Sequence, residues 1–145
     1  MGAVGARLPA HAEPSLNEAE IRRRVAGARV ATLATIDPDG RPNLVPITFV
    51  LDGDTLYTAV DHKPKTTRAL KRLANIGRDP RVTLLVHSYD EDWEKLWWCR
   101  LKGTGAIVEN TPAAFADKYE QYRDRLPSGP VIAVAVDEWT GWSSA

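Results

Sequence analysis

The stretch that decides the fold of this chain is TLYTAVDHKPKTTRALKR, which runs from Thr55 to Arg72. It begins with a strand-like run, Thr55 to Val60, and continues into a basic turn that contains Lys63 and Lys65. Two threonines then open an amphipathic segment with helical spacing. The pattern predicts a strand, a basic turn and a helix whose first residues are cationic.

The charges at the start of this helix have the sign that a helix N-terminus disfavours. The unpaired N–H groups there carry about half a positive charge, so a base costs about 0.3–1 kcal/mol. Four cations nevertheless lie there or one turn on, and they are Lys63, Lys65, Arg68 and Lys71. A bound anion would make this arrangement favourable, with the hydroxyls of Thr66 or Thr67 as further donors. The sequence therefore predicts a phosphate-type site, with a solvated basic face as the alternative.

The first predicted helix has the opposite arrangement of charges. It begins at Ser15, and Ser15 with Glu18 forms a capping-box pattern. Glu18 and Glu20 lie in its opening turns and three arginines, Arg22 to Arg24, lie towards its end. Acids at the start and bases at the end match the helix dipole. The second helix therefore departs from a pattern that the same chain follows elsewhere.

Composition limits the class of protein. The chain has 145 residues, is 43% hydrophobic and carries 19 basic and 19 acidic residues, so it lacks the positive field of a nucleic-acid binder. We expect a mobile tail at residues 1–14 and a single domain at 15–145. The single cysteine, Cys99, fits a reducing cytoplasm, and the sequence shows neither metal-ligand spacing nor a membrane-spanning run.

The remaining segments predict six strands in hairpin order. They are Arg29 to Ile36, Pro42 to Leu51, Thr55 to Val60, Val82 to His87, Leu96 to Val108 and Val131 to Val136. Turn signals lie at Asp37 to Gly40 and at Asp52-Gly53, and Pro46 indicates an edge position or a bulge. Short helices between such strands favour an antiparallel barrel or sandwich over a parallel α/β sheet.

The aromatic residues have more than one interpretation. A third helix from Thr111-Pro112 is predicted to bury Phe115, Tyr119 and Tyr122 on one face. Trp97 and Trp98 are adjacent on a strand, so their rings point to opposite faces, and the one outside the core serves either an interface or a cofactor ring. Cys99 is expected to be a buried small hydrophobe and not a nucleophile.

Several segments taken in order resemble a known superfamily. LATID-x-DG-x-P (Leu33 to Pro42), TAVDHKPKT (Thr58 to Thr66), DPR (Asp79 to Arg81) and KGTGAIV (Lys102 to Val108) are similar to the pyridoxamine 5′-phosphate oxidase-like split-barrel superfamily. DEDW and LWW, at 90–93 and 96–98, resemble a mainly actinobacterial group of F420-dependent enzymes within it.

This resemblance implies a six-stranded split β-barrel that forms a homodimer, with a flavin or deazaflavin in each of two grooves between protomers. The strand and basic turn would carry the phosphate end of the cofactor. On this basis the candidate cofactor-binding residues are Asn43, Thr58, Ala59, Val60, Lys63, Lys65, Thr66, Trp97 and Trp98.

Two further points limit the activity and the cofactor that the resemblance implies. The oxidases hold pyridoxamine phosphate with a C-terminal segment that contains Arg and His, whereas this chain ends in DEWTGWSSA, so that activity is not expected. FMN and coenzyme F420 share a phosphate-bearing side chain, so the basic turn does not separate them. The deazaflavin adds an oligoglutamate tail, whose carboxylates Arg72, Arg78 and Arg81 can meet.

The expected function is hydride transfer between F420 and an unsaturated small molecule, with FMN as the alternative cofactor. The sequence shows no nucleophile–base pair and no metal site, so the chemistry would belong to the cofactor, and no side chain stands out as a proton donor. A non-enzymatic carrier or sensor of the cofactor is the competing hypothesis. An oligonucleotide-binding barrel requires a wider basic surface than a neutral chain provides.

Overall fold

An antiparallel β-sheet organises the chain. A computed structural model of the protein describes residues 15–60 and 67–145, and of residues 67–70 the backbone alone. The strands within these ranges are β1 (Ala31–Ile36), β2 (Pro42–Ile47), β3 (Val50–Asp52), β4 (Thr55–Ala59), β5 (Arg81–Ser88), β6 (Trp97–Val108) and β7 (Val131–Ser143). The helices are α1 (Glu18–Gly27), α2 (Thr67–Arg78) and α3 (Ala114–Lys118), with 3₁₀ turns at Trp93–Lys95 and Glu120–Tyr122.

The seven strands of the described chain form a single sheet in the order β2-β1-β5-β6-β7-β4-β3, and every pair is antiparallel. The sheet curls into a half-barrel, with α1 and α2 packed against it. The predicted class, a mainly β antiparallel split barrel with short helices, is confirmed.

The structure has seven strands where the sequence predicts six, because the predicted strand Pro42 to Leu51 divides in two. β2 pairs with β1, and β3 pairs with β4 at the opposite end of the sheet order. The chain turns at Phe49, whose ring is fully buried and whose N–H donates to the hydroxyl of Tyr119 at 3.1 Å. Pro46 lies on β2, an edge strand, where prolines within sheets are found, and the edge position predicted for it is confirmed.

Two boundaries near the first helix and the second hairpin differ from prediction. The N-cap of α1 is Asn17 rather than Ser15, and its side chain accepts from the N–H of Glu20 at 2.9 Å. Ser15 instead forms an isolated bridge with Trp142, so its backbone belongs to the sheet and the helix starts later. The two-residue turn between β3 and β4 is Gly53-Asp54, one residue beyond the prediction, and Gly53 takes a positive φ of 62°.

The last strand is longer than predicted. The apolar run ends at Val136, but pairing continues through Glu138 and Trp139 to Ser143. A register shift between Lys102 and Gly103 of β6 accommodates this continuation. Because β6 already provides a long ladder, polar residues on the outer face do not end β7.

Two hydrophobic clusters stabilise this architecture. The main cluster lies on the inner face of the sheet beneath α1 and α2 and includes Ile21, Leu84, Leu101 and Ile76. The second contains Val50 and the three aromatic residues predicted to share a helix face, Phe115, Tyr119 and Tyr122. These three rings are buried and lie 6.0–6.3 Å apart, although α3 is short and a 3₁₀ turn carries the last ring. The predicted aromatic face is confirmed.

Candidate functional site

The end of β4 is held firmly by its neighbours. Thr58 is buried, and its hydroxyl donates to the carbonyl of Thr48 at 2.8 Å. The N–H of Val60 donates to the carbonyl of Pro130 at 3.0 Å. A Cβ on Gly129 would lie only 2.8 Å from the carbonyl oxygen of Val60, so the two segments approach closely. The strand therefore delivers the chain to the predicted basic turn from a fixed position.

The predicted phosphate-binding residues of that turn, Lys63, Lys65 and Thr66, lie outside the described residues, as does the predicted tail at 1–14. Of the other predicted residues, Thr58 uses its hydroxyl inside the protein. Ala59 packs against the second cluster. The proposed contacts of these residues with a cofactor remain predictions.

A groove lies between the edge strand β2 and helix α2. It has a volume of about 320 Å³ and is lined by Asn43, Leu44, Val45, Pro46, Lys71 and Arg72. Arg72 is half-buried, and burial lowers the pKa of its guanidinium below the usual value. Its Nε is buried and has no hydrogen-bond partner among the described residues. A desolvated cation with an unused donor fits an anionic ligand.

The other cations near this groove have partners. Lys71 lies 3.4 Å from the carboxylate of Asp37, and Arg78 donates to the carbonyl of Ile36 and, at 3.2 Å, to Asn75. Arg81 forms an ion pair with Asp79 at 2.7 Å. Of the three arginines predicted to meet carboxylates, Arg72 is thus the one with an unused buried donor.

A polar network fixes helix α2 against the end of β1, and the sequence analysis missed it. The side-chain amide of Asn75 is buried and donates to Asp37 at 2.9 Å and to the hydroxyl of Thr35 at 3.1 Å. The Asn75 hydrogen bond, followed by Lys71, lowers the pKa of Asp37. The network holds the neighbouring Arg72 at the groove. Only a buried asparagine on the inner helix face would have signalled it.

A second cavity lies on the outer face of the sheet. It has a volume of about 480 Å³, and Ala34, Pro42, Thr83, Lys102 and Thr104 are among its lining residues. Pro42 and Asn43 are neighbours on β2, so their side chains point to opposite faces of the sheet, and the cavity and the groove lie on opposite sides of it. Lys102 lies in a long, loose ion pair with Glu138, at 3.8 Å.

Trp97 and Trp98 lie elsewhere. Trp97 packs against the main cluster, with the guanidinium of Arg24 5.3 Å from its ring centre, and Trp98 lies on the outer face of β6. Their opposite directions are as predicted. Both line a third cavity, of about 520 Å³, which shares no residue with the groove at Arg72. Within one chain, the structure does not bring the tryptophans to the other candidate residues.

Cys99 has the character expected of a buried hydrophobe. It is fully buried, and burial raises the pKa of its thiol to about 11, so the thiol is protonated at neutral pH. In residues 15–60 and 67–145 no three His, Cys, Asp or Glu side chains are grouped as metal ligands would be. Among the described helices, none is long and apolar enough to cross a membrane.

Comparison with known proteins identifies the family. Residues 18–143 match the family model described as pyridoxamine 5′-phosphate oxidase. The chain belongs to this family and has its split-barrel, flavin-binding fold. No curated protein sequence is significantly similar to the chain.

Solved structures share the fold at low sequence identity. A conserved hypothetical protein from Mycobacterium tuberculosis has a TM-score of 0.68 and 22% identity, over 93% of this chain and 89% of that chain. An F420 reductase has a TM-score of 0.60 and 22% identity, over 86% and 96%. An FAD-binding protein from Mycobacterium smegmatis has a TM-score of 0.60 and 20% identity, over 88% and 94%.

Proposed function

We propose that the protein is a homodimeric, F420-dependent reductase that transfers a hydride between the deazaflavin and an unsaturated small molecule. The family and its fold support a flavin-type cofactor, and the similarity to an F420 reductase supports the deazaflavin. When bound, the reduced deazaflavin supplies the hydride. The chain's own residues bind the cofactor, orient it and hold its anionic groups.

The observation that carries this proposal is the half-buried Arg72 beside β2. Its Nε has no partner in the described part of the chain, and burial disfavours its charge. An anionic group at this nitrogen offsets that cost. Asn43 lines the same groove, and an amide can donate to a phosphate or carboxylate oxygen. Arg72 and Asn43 are therefore the residues that would hold the anionic end of the cofactor.

The remaining parts of the cofactor extend from this point. We assign the basic turn with Lys63, Lys65 and Thr66 to the phosphate and Arg72 to the oligoglutamate tail or to the same phosphate. Leu44 and Leu85 are exposed apolar residues on the outer face of the sheet, and they favour a second protomer over that face.

Titration with F420, FMN and FAD, followed by fluorescence, tests the cofactor. We expect F420 to bind more tightly than FMN, because the oligoglutamate tail adds carboxylates, and we expect the difference to shrink with added salt where the contacts are exposed. Preferential binding of FMN or FAD, with oxygen consumption on reduction, would move the protein to the flavin-oxidase side of the family.

Turnover separates a reductase from a carrier. Reduced F420 reacts slowly with oxygen, so the visible absorbance of the oxidised cofactor should rise only when an acceptor is added. We expect this rise with at least one member of a panel of enones, quinones and tetrapyrroles. Tight binding without any rise across the panel would identify a carrier or sensor instead.

A further inference from the structure

The outer face of the sheet carries an aromatic groove. Its walls include Leu85 and His87 of β5, Trp98 and Arg100 of β6, and Trp142 of β7, and its volume is about 520 Å³. His87, Trp98 and Trp142 are directly paired across the three strands, and Leu85 is paired with Arg100. The alternate residues, Cys99 and Leu101, are buried in the main core. The groove therefore faces away from the core.

The groove has a cationic rim. The guanidinium of Arg100 lies 5.1 Å from the ring centre of Trp98. Arg100 is exposed and forms no ion pair with any residue that the structure describes. The groove is thus complementary to an aromatic group accompanied by a carboxylate.

The loop between β5 and β6, Tyr89 to Leu96, has these two features, and we call it the acidic arm. It contains Asp90, Glu91, Asp92 and Glu94 against one base, Lys95. Trp93 is 69% exposed and does not line the groove of its own chain. Glu91 and Glu94 form no ion pair with any described residue.

The arm is shaped to present Trp93. Asp92 caps the 3₁₀ turn Trp93–Lys95 by accepting from the N–H of Glu94 at 3.1 Å, and Asp90 accepts from the N–H of Asp92 at 2.7 Å. Two acids therefore order the backbone, and two remain for an outside partner. An ordered loop with an exposed tryptophan loses little conformational freedom on binding.

We propose that the acidic arm of a second copy of this chain inserts Trp93 into the aromatic groove, next to Trp98 and Trp142, with Glu91 or Glu94 facing Arg100. The contact is reciprocal, so each copy gives one arm and receives one, as a two-fold interface requires. It assigns Trp98 to the interface, one of the two roles that the sequence leaves open. The inference rests on the homodimer of the proposed function and defines where its copies meet.

Disulfide trapping tests the contact directly. Chains carrying Glu94→Cys, which keeps Trp93, and Leu85→Cys, at the position paired with Arg100, are purified separately, mixed and mildly oxidised, and cross-linked dimers are read on a denaturing gel. The native Cys99 is fully buried and does not compete. We expect a mixed cross-link for this pair. The matched control pairs Glu94→Cys with Ile107→Cys, because Ile107 is exposed at the far end of β6. Equal cross-linking of both pairs, or none of the first, overturns the proposal.

Charge reversal gives a second readout in solution. Arg100→Glu should weaken the dimer measured by sedimentation, and the added substitutions Glu91→Lys and Glu94→Lys should restore it. Trp93→Ala should weaken it by about 30-fold or more, which corresponds to a hot-spot residue at 1.4 kcal/mol per tenfold. Arg123→Glu, at an exposed arginine near α3, is the matched control and should leave the dimer unchanged. An unchanged dimer with Arg100→Glu and Trp93→Ala contradicts the inference.

The same preparations separate this inference from the cofactor assignment. A dimer that binds F420 but does not cross-link refutes the arm contact alone. A dimer that cross-links as expected but does not bind F420 supports the arm contact and refutes the cofactor. A chain that stays near 16.0 kDa in sedimentation at micromolar concentration overturns both the homodimer and the arm contact.

Discussion

Helices α1 and α2 both carry several cations, but they satisfy them differently. In α1, Arg24 pairs with Glu20 at 2.7 Å, and Arg22 pairs with Glu18 at 3.0 Å and with Asp54 in the turn before β4, so each has a partner within the chain. The first turn of α2 has no acid, and Arg72 has no described partner for its buried Nε. Arg22 and Arg24 of α1 are therefore satisfied within the chain, whereas Arg72 of α2 points to an external anion.

The described cations of α2 also differ among themselves. Lys71 and Arg78 reach the end of β1, where Asp37 and the carbonyl of Ile36 receive them. These contacts attach the helix to the sheet, as the core side of α1 does through Ile21. Arg72 alone of the described α2 side chains has both burial and an unused buried donor. Function is therefore expected to depend on one arginine rather than on the whole basic face.

The largest expected effect is a loss of folding stability when the core side of α1 is changed. Ile21→Ala removes a side chain that is 1% exposed and packs next to Gly141. It should lower the free energy of unfolding by about 2–5 kcal/mol, with Ile21→Val at about 0.5–1.5 kcal/mol as the graded control. Chemical denaturation measures both. The F420 affinity of the folded fraction should not change. A parallel loss of affinity would contradict the assignment of α1 to stability and of Arg72 in α2 to cofactor binding.

The second largest effect is expected on cofactor binding, from a change at Arg72. Arg72→Met keeps an apolar stem in the half-buried position and removes the charge. F420 binding should weaken by about tenfold or more, because a charge-assisted hydrogen bond contributes about 1.5–3 kcal/mol. Unfolding stability should hold or rise slightly, since an unpaired desolvated charge is removed.

Arg81→Met is the matched control for Arg72→Met. Arg81 is exposed and already paired with Asp79, whose pKa the Arg81 hydrogen bonds lower to about 2. Its loss should leave F420 affinity nearly unchanged in the same titration. Equal losses of F420 affinity in the two variants would indicate that both arginines belong to a solvated basic surface and that neither binds the cofactor specifically.

Lys118 tests whether a buried unpaired cation always indicates a ligand. Its ammonium lies 3.8 Å from the ring centre of Phe49, and its Nζ has no hydrogen-bond partner in the described chain. Burial, followed by the charge of Arg29, lowers the pKa of Lys118 from 10.5 to about 8. Between these two values the unfolded chain binds more protons, so this lysine makes stability rise with pH.

Lys118→Met should remove that rise. The stability difference between the variant and the wild type, measured by denaturation at several pH values, should change from pH 8 to 10 in favour of the wild type. Cys99 acts in the opposite direction above pH 9, because its pKa is raised to about 11, but it is present in both proteins and cancels. F420 affinity should be unaffected. A flat difference would show that Lys118 is charged and solvated across this range.

The smallest effect concerns the paired charges of α1. Hydrogen bonds from Arg23 and Arg24 lower the pKa of Glu20 from 4.5 to about 2. A depressed carboxyl pKa stabilises the fold above pH 4.5, and this contribution is lost as the pH falls from 4.5 towards 2. Glu20→Gln should therefore lower the melting temperature slightly at pH 7, and its difference from the wild type should shrink as the pH falls from 4.5 towards 2, while neutral-pH cofactor binding stays intact. A large effect at pH 7 would show that α1 depends on more than local pairing.

Sequence reasoning succeeded where the signal is local. The turn Asp37 to Gly40, the edge position of Pro46 and the aromatic face of Phe115, Tyr119 and Tyr122 each depend on neighbouring residues and a known period. It was wrong at Ser15, where pairing of the backbone with β7 competes with capping. It predicted one strand at Pro42 to Leu51 where the structure has two, β2 and β3, because the choice of partner strand depends on residues distant in the chain.

The candidate site also combines features that the sequence indicates with features that only packing decides. The unusual sign of charge around the second helix is visible in the sequence, and it points to the helix that carries Arg72. Which arginine remains available depends on Asp37, Asp79 and Asn75, whose reach is set by packing between α2, β1 and β5. The separation of Trp98 from Arg72 is likewise a result of strand order and not of spacing along the chain.

The sequence by itself determined the antiparallel β class, the succession of β4 and α2, and the family resemblance. These properties follow from hydrophobic period, turn residues and charge sign, which act over a few residues. The tertiary structure decided that β2 and β3 separate, that β7 extends to Ser143 and that Arg72 is the arginine with an unused buried donor. The physical reason is that burial and pairing depend on neighbours that are distant in the chain.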